Sequence, residues 1–311
     1  MTGPKHLTFE EQIDLLVARG MNIPDKSGAM NKIENIGYYK LKEFAFPLSS
    51  VVTEDDGTKT RRYDGVEFSS VITRYYQDKN LRLNVLHAIE KIEVSLKTRI
   101  SFVLGESHGA FGYLKFGNWC NKKEYCKHYL KDQEEKFKYQ LIKKIKLSHS
   151  HELTDKVNLN EQGLPSVWLM TDVLMFGDVI ALLKLMSNKN LRMISSYYNC
   201  TNDELLSWLK CLNFIRNICA HNSNILDIKL KTTPKIHPEW KNDIFKMKNN
   251  NYSNRLAVVI YIVHHFIREI NNKYHIYKIP VAIEKIVKKD EKKINQLGFV
   301  NAEAIKKLKV L

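Results

Sequence analysis

The segment Arg216-Asn217-Ile218-Cys219-Ala220-His221-Asn222 brings a guanidinium, an amide and an imidazole close together in the chain. Histidine titrates near neutrality, so an imidazole here could give or take a proton at cellular pH. A guanidinium beside it could hold a phosphate and stabilise the charge that builds on it. Asn217 could orient the imidazole or help cap a helix end, with Asn222 as a neighbouring support. The chemistry suggested is acid–base catalysis at a phosphoester. The plainer alternative is a polar knot that fixes a helix end, a role such residues fill in many folds. Cys211 and Cys219, close by, read as packing residues.

The elements that must position this group begin with its own helix. Leu205, Leu206, Leu209, Leu212 and Ile215, with Trp208 beside them, fall at spacings of three and four, and Asn202 or Asp203 can cap the start. At about 100° per residue, Asn217 and His221 lie about 40° apart, whereas Arg216 and His221 lie about 140° apart. One straight helix cannot aim both at one atom. Either the helix ends near His221 and turns the imidazole back, or a second copy completes the site.

A longer helix is predicted over Phe68 to Leu104, with an apolar stripe of Val85, Ile89, Ile92, Leu96, Ile100 and Val103. Glu93 borders that stripe and needs a partner, for which Lys97, Arg99 and Arg216 are candidates. A structural ion pair outweighs a catalytic acid there. Asp78, Lys79 and Arg82 precede the stripe and read as helix-start and salt-bridge residues.

The other segments supply support and surface. Residues 8–19 form a short helix begun by Thr8 and ended by Gly20, and a second runs from about Ser27 to Phe44. Its Tyr38 and Tyr39 could stack on bases, although core or rim positions are commoner for such residues. Residues 53–64 are a mobile polar loop around Gly57, and 105–121 a connection. Ser166 to Met186 is apolar on most sides and reads as central core, broken at Phe176-Gly177-Asp178. Pro234 and Pro238 punctuate residues 229–240, and Tyr252 to Ile270 is a strong helix whose His264 and His265 are structural. Residues 281–311 read as a basic helical tail with little core potential.

Forty-nine Lys and Arg against thirty-four Asp and Glu leave a formal +15 and a pI near 9.4, which points to a polyanion such as RNA or DNA. One basic surface is Lys122, Lys123, Lys127, Lys131, Lys136, Lys138, Lys143, Lys144 and Lys146, interleaved with Tyr125, Tyr129 and Tyr139 as stacking platforms. Lys288, Lys289, Lys292 and Lys293 make another. A solvated amphipathic helix with inward aromatics is an equal alternative for the first. Five irregularly spaced cysteines fit reduced thiols, and no His or Cys set has metal-site spacing, so no metal or cofactor is expected. No apolar run is long enough for a membrane span and no signal peptide is evident, which suggests a cytoplasmic protein.

Arg216-Asn217-x-x-x-His221 resembles the R-x4-6-H signature of the HEPN superfamily, helical domains that include many metal-independent RNA-cleaving toxins. Leu206-Ser207-Trp208-Leu209, Pro165-Ser166-Val167-Trp168 with Phe176-Gly177, and Ile36-Gly37-Tyr38-Tyr39-Lys40-Leu41 are similar to blocks of AbiD/AbiF-like abortive-infection proteins, in the same order. Asp78, Lys79 and Arg82 match a further block. Members of that family often carry an Arg a few residues after the His, where this chain has Asn222, Ser223 and Asn224.

The resemblance implies an all-α helical bundle of HEPN type over 66–230, with a basic insertion at about 105–164. A helical region at 1–65 would precede it and C-terminal helices at 231–311 would come after it. It also implies an endoribonuclease toxin of a phage-defence or toxin–antitoxin system, with Arg216, Asn217 and His221 as site residues. A homodimer or higher homo-oligomer and restraint by a small non-coding RNA would go with it. The rival is a non-catalytic RNA-binding or scaffold protein.

Overall fold

A computed structural model describes Gly3 and residues 5–55, 57–248 and 250–309. Among them the chain is all-α apart from one two-stranded hairpin. Helix α1 (Phe9–Ala18) starts with the predicted Thr8 cap: the Thr8 hydroxyl accepts from the Glu11 amide and the Glu11 carboxylate accepts from the Thr8 amide. The single helix expected over 27–44 is instead two, α2 (Lys26–Ile36) and α3 (Tyr38–Ala45). They break at Gly37, whose φ of +95° suits glycine far better than a residue with a side chain.

The expected polar loop at 53–64 is also corrected in part. Strands β1 (Ser50–Thr53) and β2 (Lys59–Arg62) pair antiparallel, with Ser50 opposite Arg62. The hairpin forms because Tyr63, directly after β2, is fully buried and draws the strand in, while Gly57 turns at φ +81°. A small core of Ile13, Leu16, Ile33, Leu41, Phe44, Tyr63 and Val71 holds these N-terminal elements on the next helix.

That helix, α4 (Phe68–His108), is the axis of the molecule. The predicted stripe from Val85 to Val103 is buried along its length, each such side chain stabilising the fold by about 1.5–3 kcal/mol. Four shorter helices come next: α5 (Phe116–Trp119), α6 (Lys127–Leu147), α7 (Val167–Val173) and α8 (Phe176–Leu185). Then come α9 (Asn188–Tyr197) and α10 (Asn202–Ala220), which carries Arg216. Helix α4 packs against α3, α7, α9, α10 and two later helices, α11 (Leu256–Ile270) and α12 (Lys278–Val287).

The segment from 281 onward is not the coreless tail its lysines suggested. Ile283, Val287, Ile294, Phe299, Ile305 and Leu308 are buried in the main core, carried by α12, α13 (Glu291–Gln296), α14 (Ala302–Lys307) and the residues that follow the last two. Short helices place one apolar side chain per turn inward and keep Lys288, Lys289, Lys292 and Lys293 exposed.

Candidate active site

Helix α10 is capped by Thr201, one residue before the first predicted cap, Asn202. The Thr201 hydroxyl accepts from the Glu204 amide at 3.2 Å while Glu204 accepts from the Thr201 amide at 2.9 Å. Leu205, Trp208, Leu209, Leu212 and Ile215 then face the core, so Arg216 is half-buried and Asn217 and His221 are exposed.

The helix ends at Ala220 with His221 as its cap residue. The Ser223 amide donates to the Ile218 carbonyl at 2.9 Å and the Asn222 amide to the Cys219 carbonyl at 3.3 Å, with Asn222 left-handed at φ +57°. This is a Schellman ending, in which asparagine is the usual substitute for glycine. At φ −92° and ψ 16° the His221 backbone stays close to helical. Its Cα–Cβ bond therefore keeps the wide angle to that of Arg216.

Three successive turns of α4 grip the loop that leaves His221. Arg82 donates from Nη1 to the Asn222 side chain at 3.0 Å. Asp78 accepts from the Ile225 and Leu226 amides at 2.8 and 3.0 Å and from Arg82 Nε at 2.6 Å. Arg74 pairs with Asp227, which Asn224 also contacts at 2.6 Å. Asp78 is fully buried and Arg82 nearly so. Burial pushes the Asp78 carboxyl above its ordinary value, against the opposing pull of Arg82 and the two amides.

Asp78 and Arg82 form the salt bridge expected of them, but ten or more residues inside α4 rather than at its start, and their pattern is in the sequence. They extend the apolar stripe backwards at the same spacing, 78, 82, 85, 89, which marks them as buried.

Glu93 is not brought to this end. Ser95 hydrogen-bonds Tyr198 just before α10 starts, whereas Arg82 meets Asn222 just after it ends, so the two helices run antiparallel. Eleven residues separate Glu93 from Arg82, about 16 Å along α4. Its partner is Lys97, at 3.0 Å. Arg216, Asn217 and His221 form no side-chain hydrogen bond or ion pair among the described residues. Cys211 and Cys219 are buried, and burial pushes their thiols up to about 12, which removes them as nucleophiles.

The basic helix α6 reaches this region through α8. Lys144 pairs with Asp178 at 2.9 Å, and the neighbouring Gly177 lies against Asn213, one turn before Arg216. Lys136 and Lys138 are spent on Asp132 and Glu134. Lys122, Lys123, Lys127, Lys131, Lys143 and Lys146 are exposed and have no ion pair among the described residues. Tyr125 and Tyr129 stack on each other at 5.3 Å, and the Lys143 ammonium sits 4.3 Å from the exposed Tyr139 ring.

Among the described residues His237, Glu239 and His265 are the group that could hold a metal, their ligand atoms lying within 4.8 Å of one another. Each already has a protein role. Arg268 pairs with Glu239 at 3.1 Å, His265 Nε2 is 2.8 Å from the Tyr198 carbonyl, and both imidazoles pack on Trp208. Trp208 lies thirteen residues before His221, about 20 Å along the helix. The pair His264 and His265, read as structural, includes one member of this group.

None of the described helices is long and apolar enough to cross a membrane. No curated protein and no solved structure matches the chain. Residues 31–227 match the family described as Abi-like protein, a stretch that runs from α2 to Asp227, the last residue gripped by α4. That match covers more than half of the sequence and takes in α4, α10 and the Arg216/His221 ending, so the chain belongs to the Abi-like family of abortive-infection proteins.

Proposed function

We propose that this abortive-infection protein is an AbiD/AbiF-like endoribonuclease of HEPN type, with Arg216 and His221 as its catalytic residues. The observation that carries the reading is the end of α10. Two side chains able to do acid–base and phosphate chemistry stand unengaged at a helix end whose continuation is held by Asp78, Arg82 and Arg74. A rigid mount with free functional groups is what catalysis requires.

The 2′-hydroxyl of the ribose is the nucleophile. One His221 takes its proton, or gives one to the leaving oxygen, and Arg216 stabilises the charge on the phosphate. The O–P bond to the next nucleotide breaks as the 2′-oxygen bonds to phosphorus, leaving a cyclic phosphate. Asn217, exposed one turn before His221 on the same side of the helix, orients the imidazole in this reading once RNA is bound. Because Arg216 and His221 diverge on one helix, the working pair comes from two copies of the chain facing each other. The unpaired lysines of α6 hold RNA near the site.

In this mechanism the acid–base group and the charge stabiliser are both protein side chains. Cleavage is therefore expected to continue in excess chelator and to leave cyclic-phosphate or 3′-phosphate ends. End analysis by gel and phosphatase treatment checks it; a strict need for magnesium, or 5′-phosphate products, would point to metal-assisted hydrolysis instead.

A further inference from the structure

An open groove of about 490 Å³ lies beside the gripped loop, walled by Tyr39, Lys42, Glu43 and Phe46 on one side and by Asn224 and Asp227 on the other. Asn224 is three residues beyond His221, so their Cα atoms are at most about 11 Å apart. The groove is therefore next to the cleavage site, yet nothing in the reaction described above uses it.

Its chemistry is uneven in a telling way. Tyr39 is 71% exposed and Phe46 is 56% exposed, although large rings usually find cover. The Arg61 guanidinium lies 3.8 Å from the Phe46 ring centroid, and the Lys42 ammonium 5.8 Å from that of Tyr39. Lys42 is held below the usual lysine value by partial burial and by the nearby charges of Arg19 and Arg61, a crowd of cations that an anion would relieve.

The two acids of the groove are already neutralised, Glu43 by Lys40 at 3.0 Å and Asp227 by Arg74. What is left over is positive charge interleaved with aromatic faces. An acidic peptide would answer the charge and leave the rings bare. A single strand of nucleic acid answers both, with its phosphates on the cations and its bases on the rings.

We propose that this groove binds the unpaired nucleotides next to the scissile bond, Tyr39 and Phe46 stacking on bases while Lys42 and Arg61 hold phosphates. The N-terminal helices and hairpin would then be a substrate-binding module in front of the catalytic helix. The assignment to substrate rests on the reading of Arg216 and His221 as an RNA-cleaving pair.

The test uses the full chain and a short unstructured oligoribonucleotide. Its affinity is measured by fluorescence anisotropy at fixed salt, in a His221→Ala background that does not cut. Adding Tyr39→Ala or Phe46→Ala should weaken binding by about 5- to 100-fold each, the loss expected for one stacked base. In the active protein the same substitutions should raise KM and leave kcat within about threefold.

Tyr39 is so exposed that its alanine variant keeps the fold, and an unchanged Tm verifies this. Unchanged affinity and KM in folded Tyr39→Ala and Phe46→Ala proteins would overturn the groove as an RNA site while leaving the cleavage reading intact. Lost affinity in a protein that never cuts would retain the groove and remove the nuclease. Competition by polyglutamate as strong as by unlabelled RNA would overturn the proposal in favour of an acidic protein ligand.

Discussion

Alanine in place of His221 is expected to lower RNA cleavage by about 10²- to 10⁴-fold, the usual contribution of a positioned general acid or base. Arg216→Ala should cost about 10²- to 10³-fold, because the charge growing on the phosphate loses its stabilising partner. Neither change should unfold the protein. His221 is exposed, Arg216 is half-buried, and no side-chain bond ties either of them down among the described residues. Full cleavage by a folded His221→Ala protein would sink the enzymatic reading.

The same two variants test whether the site is shared between copies. If Arg216 of one chain works with His221 of another, a dimer of one variant with the other contains one intact site and one empty of both. Random exchange makes about half of the dimers mixed, so about a quarter of the wild-type rate returns on mixing. A mixture whose subunits exchange without any recovery of cleavage would put both groups of a working site in one chain.

Removing one member of the buried Asp78–Arg82 pair is the second large effect. Arg82→Met leaves the Asp78 carboxylate buried with only the Ile225 and Leu226 amides, at an expected cost of about 3–5 kcal/mol. For a chain of this size that is a loss of roughly 5 to 8 °C in Tm. The double variant Asp78→Leu, Arg82→Met removes the stranded charge and should recover part of the loss.

The damage would be local as well as global. The Ile225 and Leu226 amides lose a charge-braced acceptor, so hydrogen exchange there should accelerate ahead of the α4 core, and cleavage should fall with the mount of His221. A single variant with wild-type Tm and protected amides at 225 and 226 would contradict the grip described for α4.

The elements with the clearest period were legible in the chain. The stripe from Val85 to Val103 and the run from Leu205 to Ile215 are buried as their spacing requires, and an all-α fold results from them. The turn at Gly37 was hidden because apolar residues continue on both sides of it, and only a φ of +95° shows the break. The hairpin at 50–62 was hidden because its strands are only four residues long and largely exposed, so no buried face marks them, and the buried Tyr63 lies outside them. In the C-terminal segment the lysines were conspicuous and the spaced Ile and Leu were not, although the latter decide the packing.

At the site, the sequence displayed Arg216, Asn217 and His221 and the angle between them, because these come from helical geometry alone. It offered Lys97, the partner Glu93 has, beside Arg99 and Arg216, but could not exclude Arg216, since that depends on the direction in which α10 crosses α4. Nor could it show that Asp78, Arg82 and Arg74 reach across 140 to 153 residues to the loop after His221. Ion pairs distant in sequence appear only when the helices are set side by side.

The central claim is that Arg216 and His221 cut RNA by turning its own 2′-hydroxyl on the adjacent phosphate. The most direct measurement uses an RNA with a mapped cleavage position and the same RNA carrying a single 2′-deoxy substitution at the nucleotide 5′ to it. Cleavage at that bond is predicted to vanish, while binding and any cuts at other positions persist. Unchanged cleavage at the 2′-deoxy position would mean that water or another nucleophile attacks, and would contradict the mechanism.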